Sequence, residues 1–217
     1  MMKSILIFIS ILIFGISNLK ADVEIQGFKK NSWNHSWNES IRKALLSENY
    51  SALINEDIDS NDLKELGCPN FNSKGSQSSN SNIDEKVDFW IVFFSALVRA
   101  ESAFNIKATS KTPKGGHGNY GLLQFSKSTA RSQCQMNTVD ELLSPDLQLA
   151  CGVKLLNWQL SGAPNSKGKL LRPDLKGQLF GKYILLWGPL RQNDKRGRAI
   201  LVSWFKDHLS QLPICKA

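Results

Sequence analysis

Glu101 is an acid set where its charge is disfavoured. It closes the run from Val87 to Ala103, which is apolar on nearly every side and reads as a buried helix. Counting back from Glu101 by three, four and seven reaches Val98, Leu97 and Phe94, so the carboxyl shares a face with core residues. The last turn of a helix also presents its carbonyl end, which opposes a negative charge. Burial and dipole both push the pKa upward, toward the range in which a carboxyl can donate a proton near neutral pH. A glutamate at a helix end can instead swing to solvent or pair with Arg99, and structural carboxylates are perturbed too. The helix pattern alone therefore divides evenly between an acid catalyst and a structural group.

Further along, Tyr120-Gly121-Leu122-Leu123-Gln124-Phe125-Ser126 is a turn that could set backbone and amide groups beside such an acid. Ser110 and Gln124 offer a hydroxyl and an amide to a hydroxylated or N-acetylated ligand. By residue type alone, a loop hydroxyl and a turn-stabilising amide are the simpler readings. His117 lies among Gly115, Gly116 and Gly118 and reads as an exposed loop residue rather than a base. No Asp or Glu lies between Lys107 and Thr138, and the next acids, Asp140, Glu141 and Asp146, have no evident route to the site. Trp33 and Trp37, in a repeated Ser-Trp-Asn, could stack on sugars, but tryptophans four apart on a helix are more often core anchors.

The elements that must position these groups are mainly helical. Short helices are expected over Ile41 to Leu46 and Ile54 to Leu66, then a Ser/Asn/Gly-rich linker over Asn70 to Asn82 with little to bury. The main helical body begins at Ile83. Ser126 reads as the N-cap of a helix through Gln133. Ser144-Pro145 starts another that Gly162 stops. Leu179 to Trp187 reads as a helix ended by Gly188-Pro189, and Ala199 to Leu212 as the last. The only strand expected is a small element near Tyr120 to Phe125.

Residues 1–21, with a charged start, a short apolar core and a small residue at Ala21, read as a secretory leader, too short for a membrane anchor. The rest divides into a helical extension and linker, 22–82, and a main domain, 83–217, long enough for a real core. The chain carries 27 Lys and Arg against 19 Asp and Glu, a net +8. Without Lys3 and Lys20 this excess fits an anionic envelope polymer better than nucleic acid, or simply a soluble surface. Cys68, Cys134, Cys151 and Cys215 allow three pairings. The nearness of Cys134 and Cys151 to one helix start favours a local bridge, leaving Cys68–Cys215 to tie the ends of the domain. No cysteine or histidine spacing suggests a metal.

Glu101-Ser102-Ala103-Phe104-Asn105, Ser110 nine residues after the glutamate, and Gly121-Leu122-Leu123-Gln124 together resemble the lytic transglycosylase and goose-type lysozyme superfamily. The run Leu143 to Leu156 is similar to that family's next helix. The resemblance covers roughly residues 85 to 212. It implies a lysozyme-like helical fold with at most a small β element beside a cleft, and cleavage of the β-1,4 bond between N-acetylmuramic acid and N-acetylglucosamine in peptidoglycan. Glu101 is the implied acid, and Ser110, Tyr120, Gln124 and Tyr183 the implied substrate-binding residues. Two departures stand out. Lys111 to Asn119 is longer than the usual connection, and the family's Ala-Tyr-Asn-Ala-Gly-Pro element is replaced by Leu186-Trp187-Gly188-Pro189. Aligning the Gly-Pro pair puts Leu185, not Tyr183, at the tyrosine. The expected protein is an exported monomer without cofactor, nucleic-acid partner or membrane anchor. Alternatives are a wall-binding protein on the same fold, or an enzyme tuned to de-N-acetylated or chitin-like glycan.

Overall fold

A single helix organises the molecule. The computed structural model describes residues 23–25, 31–47, 52–74, 80–110, 118–162, 175–182, 184 and 186–216. The leader, His117 with Lys111 to Gly116, Tyr183 and Leu185 lie outside them. The chain forms α1 (Ser36–Leu45), α2 (Ala52–Asn55), α3 (Ser60–Leu66), α4 (Phe71–Lys74), α5 (Asn80–Ser102), β1 (Asn119–Tyr120), β2 (Phe125–Ser126), α6 (Lys127–Cys134), α7 (Val139–Leu143), α8 (Pro145–Ser161) and α9 (Lys195–Asp207). β1 and β2 pair antiparallel, Asn119 opposite Ser126 and Tyr120 opposite Phe125. This is the mainly helical, lysozyme-like architecture, with its small β element where the polar turn was expected.

The middle of α5 is buried on all sides. Val87, Phe89 to Phe94 and Ala96 to Val98 are wholly inaccessible, as expected of a helix with no polar face. α1, α2, α9 and the C-terminal turn pack around it, and α8 packs on α1 and α2. Phe71, Phe89, Trp90 and Phe205 form an aromatic cluster, Phe89 meeting Trp90 and Phe205 edge to face and Phe71 at a tilt. Phe71 belongs to the stretch expected to have little to bury, so that linker begins later than composition implied. Asn72 fixes the stretch further, accepting from Ile58 N–H at 3.1 Å and donating to its carbonyl at 2.7 Å.

The residues before 80 share this core rather than standing apart from it. Trp37, Ile41, Ala44 and Leu45 form the buried face of α1. Trp33 and Trp37 are core anchors, packed edge to face at 5.2 Å, with the Trp33 indole donating to Asn38 at 2.7 Å. The last carbonyls of α2 are met from α5: the Lys86 ammonium donates to Ile54 and the Trp90 indole to Leu53. Cys68 is bonded to Cys215 and Cys134 to Cys151, which fits an oxidising compartment. No helix of the described residues is long and apolar enough to cross a membrane.

Several expected helices differ. The first begins five residues earlier, at Ser36, and the main helix three residues earlier, at Asn80. Ile54 to Leu66 is broken between Asn55 and Ser60, where Asp59 turns its side chain to cap α3, accepting from Asn61 N–H at 2.8 Å. The last helix begins four residues earlier, at Lys195, capped by Asp194. Leu179 to Trp187 is not helical among the described residues. The Asp62 carboxylate takes the N–H groups of Leu179 and Phe180 at 2.8 and 3.1 Å. The Gly181 N–H goes to Leu190 O. Amides committed to distant partners leave no ladder for a helix.

Candidate active site

Glu101 lies in the final turn of α5. The chain leaves that helix through two successive residues at positive φ, Ala103 (51°) and Phe104 (62°), a conformation that costs a non-glycine residue about 1–3 kcal/mol. Neighbours hold it. Asn31 donates to the Ala103 carbonyl at 3.2 Å, while Trp33 and Trp204 flank the Phe104 ring at 6.0 and 5.3 Å. The N-terminal residues thus clamp the turn just after the acid.

The Glu101 carboxyl is part-buried, and its pKa is raised to about 7. Burial is the main cause, and the like charge of Asp194 adds to it. Arg191 and a backbone hydrogen bond from Gly188 oppose the shift. The direction is the expected one, but its source differs in part. Phe94, Leu97 and Val98 are core residues with no access to solvent, whereas the polar groups acting on the carboxyl come from residues 188–194. Arg99 on its own helix lies instead over the Trp204 ring at 5.8 Å. Asp194, Arg191 and Gly188 had not been marked as site residues. An aspartate followed by Lys-Arg-Gly-Arg and then apolar periodicity is a readable N-cap signal, and only the fold brings it to Glu101.

The acids that do follow in sequence have other tasks. Glu141 closes a capping box with Thr138, and its pKa is lowered by backbone N–H groups of Thr138 and Asn137. Asp146 accepts from the Ser40 hydroxyl at 2.5 Å. Asp140 is exposed in α7.

The Gly121-Leu122-Leu123-Gln124 turn is built around a buried amide. Gln148, inaccessible in α8, accepts from Leu123 N–H at 2.7 Å and donates to the carbonyls of Tyr120 and Leu142. Gly121 has φ +71°, and a Cβ there would lie 1.8 Å from the Gln148 amide nitrogen, so only glycine fits. Trp187 joins from the other side, its indole donating to Leu123 O at 3.0 Å.

A cleft of about 410 Å³ opens beside this turn, lined by Gln124, the hydroxyls of Ser126, Ser128 and Thr129, the rings of Trp158 and Trp187, and Arg191. Arg191 is also the cation acting on Glu101, so one residue of the cleft is electrostatically coupled to the acid. Hydroxyls, amides and flat rings with a single cation, Arg191, suit sugar rings better than a polyanion. Of the expected binding residues, Gln124 lines the cleft, with its amide nitrogen donating to Gly121 O at 2.8 Å and Ala108 O at 3.3 Å. Ser110 is exposed and accepts from Asn119 N–H at 3.0 Å. Tyr120 faces Lys127, whose ammonium is 5.4 Å from its ring centre, and it is Asn119 of β1 that lines the cleft. No group of metal-ligating side chains occurs among the described residues.

Residues 80–172 match the family model of the transglycosylase SLT domain, a span that holds Glu101, Ser110, the Gly121–Gln124 turn and α8. That stretch, 93 of the 217 residues, thus carries a transglycosylase SLT domain, which implies peptidoglycan-directed activity of lytic transglycosylase type. Three solved structures of a protein named DslA are similar to it: a glutamate-to-glutamine variant at 25% identity and TM-score 0.57, a second such variant at 26% and 0.56, and the wild type in a second form at 24% and 0.56. Each alignment covers 83% of this chain and 91% of that one. No curated protein matches the sequence.

Proposed function

We propose that this protein cleaves the β-1,4 bond between N-acetylmuramic acid and N-acetylglucosamine in peptidoglycan, with Glu101 as the general acid. The observation that carries this is a part-buried carboxyl held half-protonated near pH 7 and acted on by Arg191, which also lines a cleft of hydroxyls, amides and tryptophans. Breaking the bond requires a proton on a poor leaving oxygen while the sugar develops oxocarbenium character. Glu101 supplies that proton and, as carboxylate, then takes one from the attacking hydroxyl. In a lytic transglycosylase that hydroxyl is the sugar's own, giving an anhydro end; in a lysozyme it belongs to water. Ser110, Gln124, Tyr120 and Tyr183 are the binding residues proposed from the family likeness. The protein works outside the cytoplasm as an exported monomer, a reading that the two disulfides support. A pure wall binder would have no use for a carboxyl held at such a cost.

Digestion of purified sacculi followed by mass spectrometry of the muropeptides tests this. Glycan fragments are expected, and the hydrolytic and anhydro products differ by one water. Glu101→Gln loses about two orders of magnitude or more in rate while keeping fold and wall binding. A Gln variant with near-full rate removes Glu101 from the chemistry.

A further inference from the structure

The residues facing Glu101 lie outside the span matched to the SLT domain, and one of them is placed with more constraint than a helix cap requires. Asp194 Oδ1 accepts from Gly197 N–H at 2.9 Å, the ordinary N-cap bond of α9. Its other oxygen, Oδ2, is wedged between two glycines of different segments. A Cβ on Gly197 would lie 2.3 Å from it, and one on Gly188 2.7 Å from it. The same Gly188 backbone hydrogen-bonds the Glu101 carboxyl, and a Gly188 Cβ would stand 3.9 Å from Glu101 Oε1. The turn is closed by Arg191 N–H donating to Gly188 O at 2.8 Å and Asp194 N–H donating to Arg191 O at 3.3 Å.

We propose that Asp194 is a positioning residue of the active site: it ties the start of α9 to the Gly188 turn and so fixes both the backbone donor and the like charge that face Glu101. The inference rests on reading Glu101 as the acid. The charged groups around the pair come from several elements. Arg191 acts on Glu101 from the Gly188 turn. Arg99 on α5 is turned to Trp204. Lys195 and Arg196 on α9 are exposed, and Arg198 is paired with Glu65 of α3. With the carboxylate of Asp194 present, the neutral form of Glu101 persists to higher pH and meets the glycosidic oxygen as a donor.

A residue that serves only as a helix cap is replaceable by any good cap; one that sets Glu101 is not. Asp194→Asn and Asp194→Ser both keep an N-cap acceptor for Gly197 and remove the charge. In the full mature chain, melting temperatures of both variants stay near wild type. The alkaline limb of the muropeptide-release profile moves down by about one pH unit, roughly a five-fold rate loss at pH 7 and almost none at pH 5. Carbon-13 NMR of the glutamate carboxyls, with Glu101 assigned through Glu101→Gln, shows the same downward shift without reference to activity. If both variants leave the limb and the Glu101 titration in place, Asp194 is a cap and the proposal fails while the acid reading stands. If Glu101→Gln keeps its activity, the acid reading fails, and the carboxyl titration still decides whether Asp194 sets Glu101.

Discussion

Holding Glu101 protonated has a thermodynamic signature that can be measured without substrate. Its pKa rises from 4.5 to about 7 on folding, and each unit corresponds to about 1.36 kcal/mol. The shift of 2.5 units is worth about 3.4 kcal/mol, reduced to about 2–3 kcal/mol by water at the part-exposed carboxyl. The sign is that of a raised acid. Below pH 4.5 the group is neutral in both states and costs nothing. Between 4.5 and 7 the unfolded chain ionises while the folded one does not, so stability falls as pH rises, and above 7 the full cost is reached. Glutamine cannot ionise, so Glu101→Gln is about as stable as wild type at pH 4 and about 2–3 kcal/mol more stable at pH 8. Urea unfolding of both proteins at the two pH values is the assay. Asp62, raised to about 6 mainly by burial, tilts both curves in the same direction and cancels in the difference. A stability gap that is the same at pH 4 and pH 8 would refute the argument, whatever the activity of the variant.

Gln148→Leu leaves the Leu123 N–H and the Tyr120 and Leu142 carbonyls without their partner. It should cost about 3 kcal/mol or more at 1–3 kcal/mol per orphaned group and abolish muropeptide release, as read by denaturant melts and product assay. Loss of the Cys68–Cys215 bridge, which spans 147 residues, should cost more than loss of Cys134–Cys151, which spans 17: about 5 against about 3 kcal/mol from chain entropy. Thermal melts of the paired Cys→Ser variants check the order, and non-reducing peptide mapping checks the pairing. Asn31→Ala frees the Ala103 carbonyl and loosens the turn after Glu101, so kcat should fall about tenfold with KM and melting temperature little changed. An unaltered kcat would show that the N-terminal clamp serves stability alone.

How much of this was legible depends on where each signal resides. α5 could be read because it is apolar from Phe89 to Val98 on nearly every side, and α6 and α8 because Ser126, Ser144-Pro145 and Gly162 mark their ends with local chemistry. Ser144 shows the limit even there: it starts α8 without a side-chain cap bond. The region from Leu179 to Trp187 has a helical composition, yet its first two amides are claimed by Asp62, more than a hundred residues earlier. Phe71 sits in polar surroundings in the sequence and in an aromatic cluster in the fold. In each case a distant partner outweighed a local propensity, and nothing in a local window names that partner.

The site divides along the same line. The acid itself is a local fact, since a glutamate ending an apolar helix is visible in the helix. Its tuning is not. The charges and the backbone donor that act on the carboxyl come from a segment nearly ninety residues on, held in place as Asp62 binds Leu179 and Phe180, Gly181 pairs with Arg191 and Asp194 caps α9 beside Gly188. The cleft follows suit: its turn can be read as Gly-Leu-Leu-Gln, while the amide that shapes it is supplied by Gln148 from another helix. An active site of this kind couples a locally encoded group to a globally encoded environment, so substitutions far from Glu101 in sequence, at Asp62 or Gly188, should alter its titration while leaving the helix that carries it unchanged.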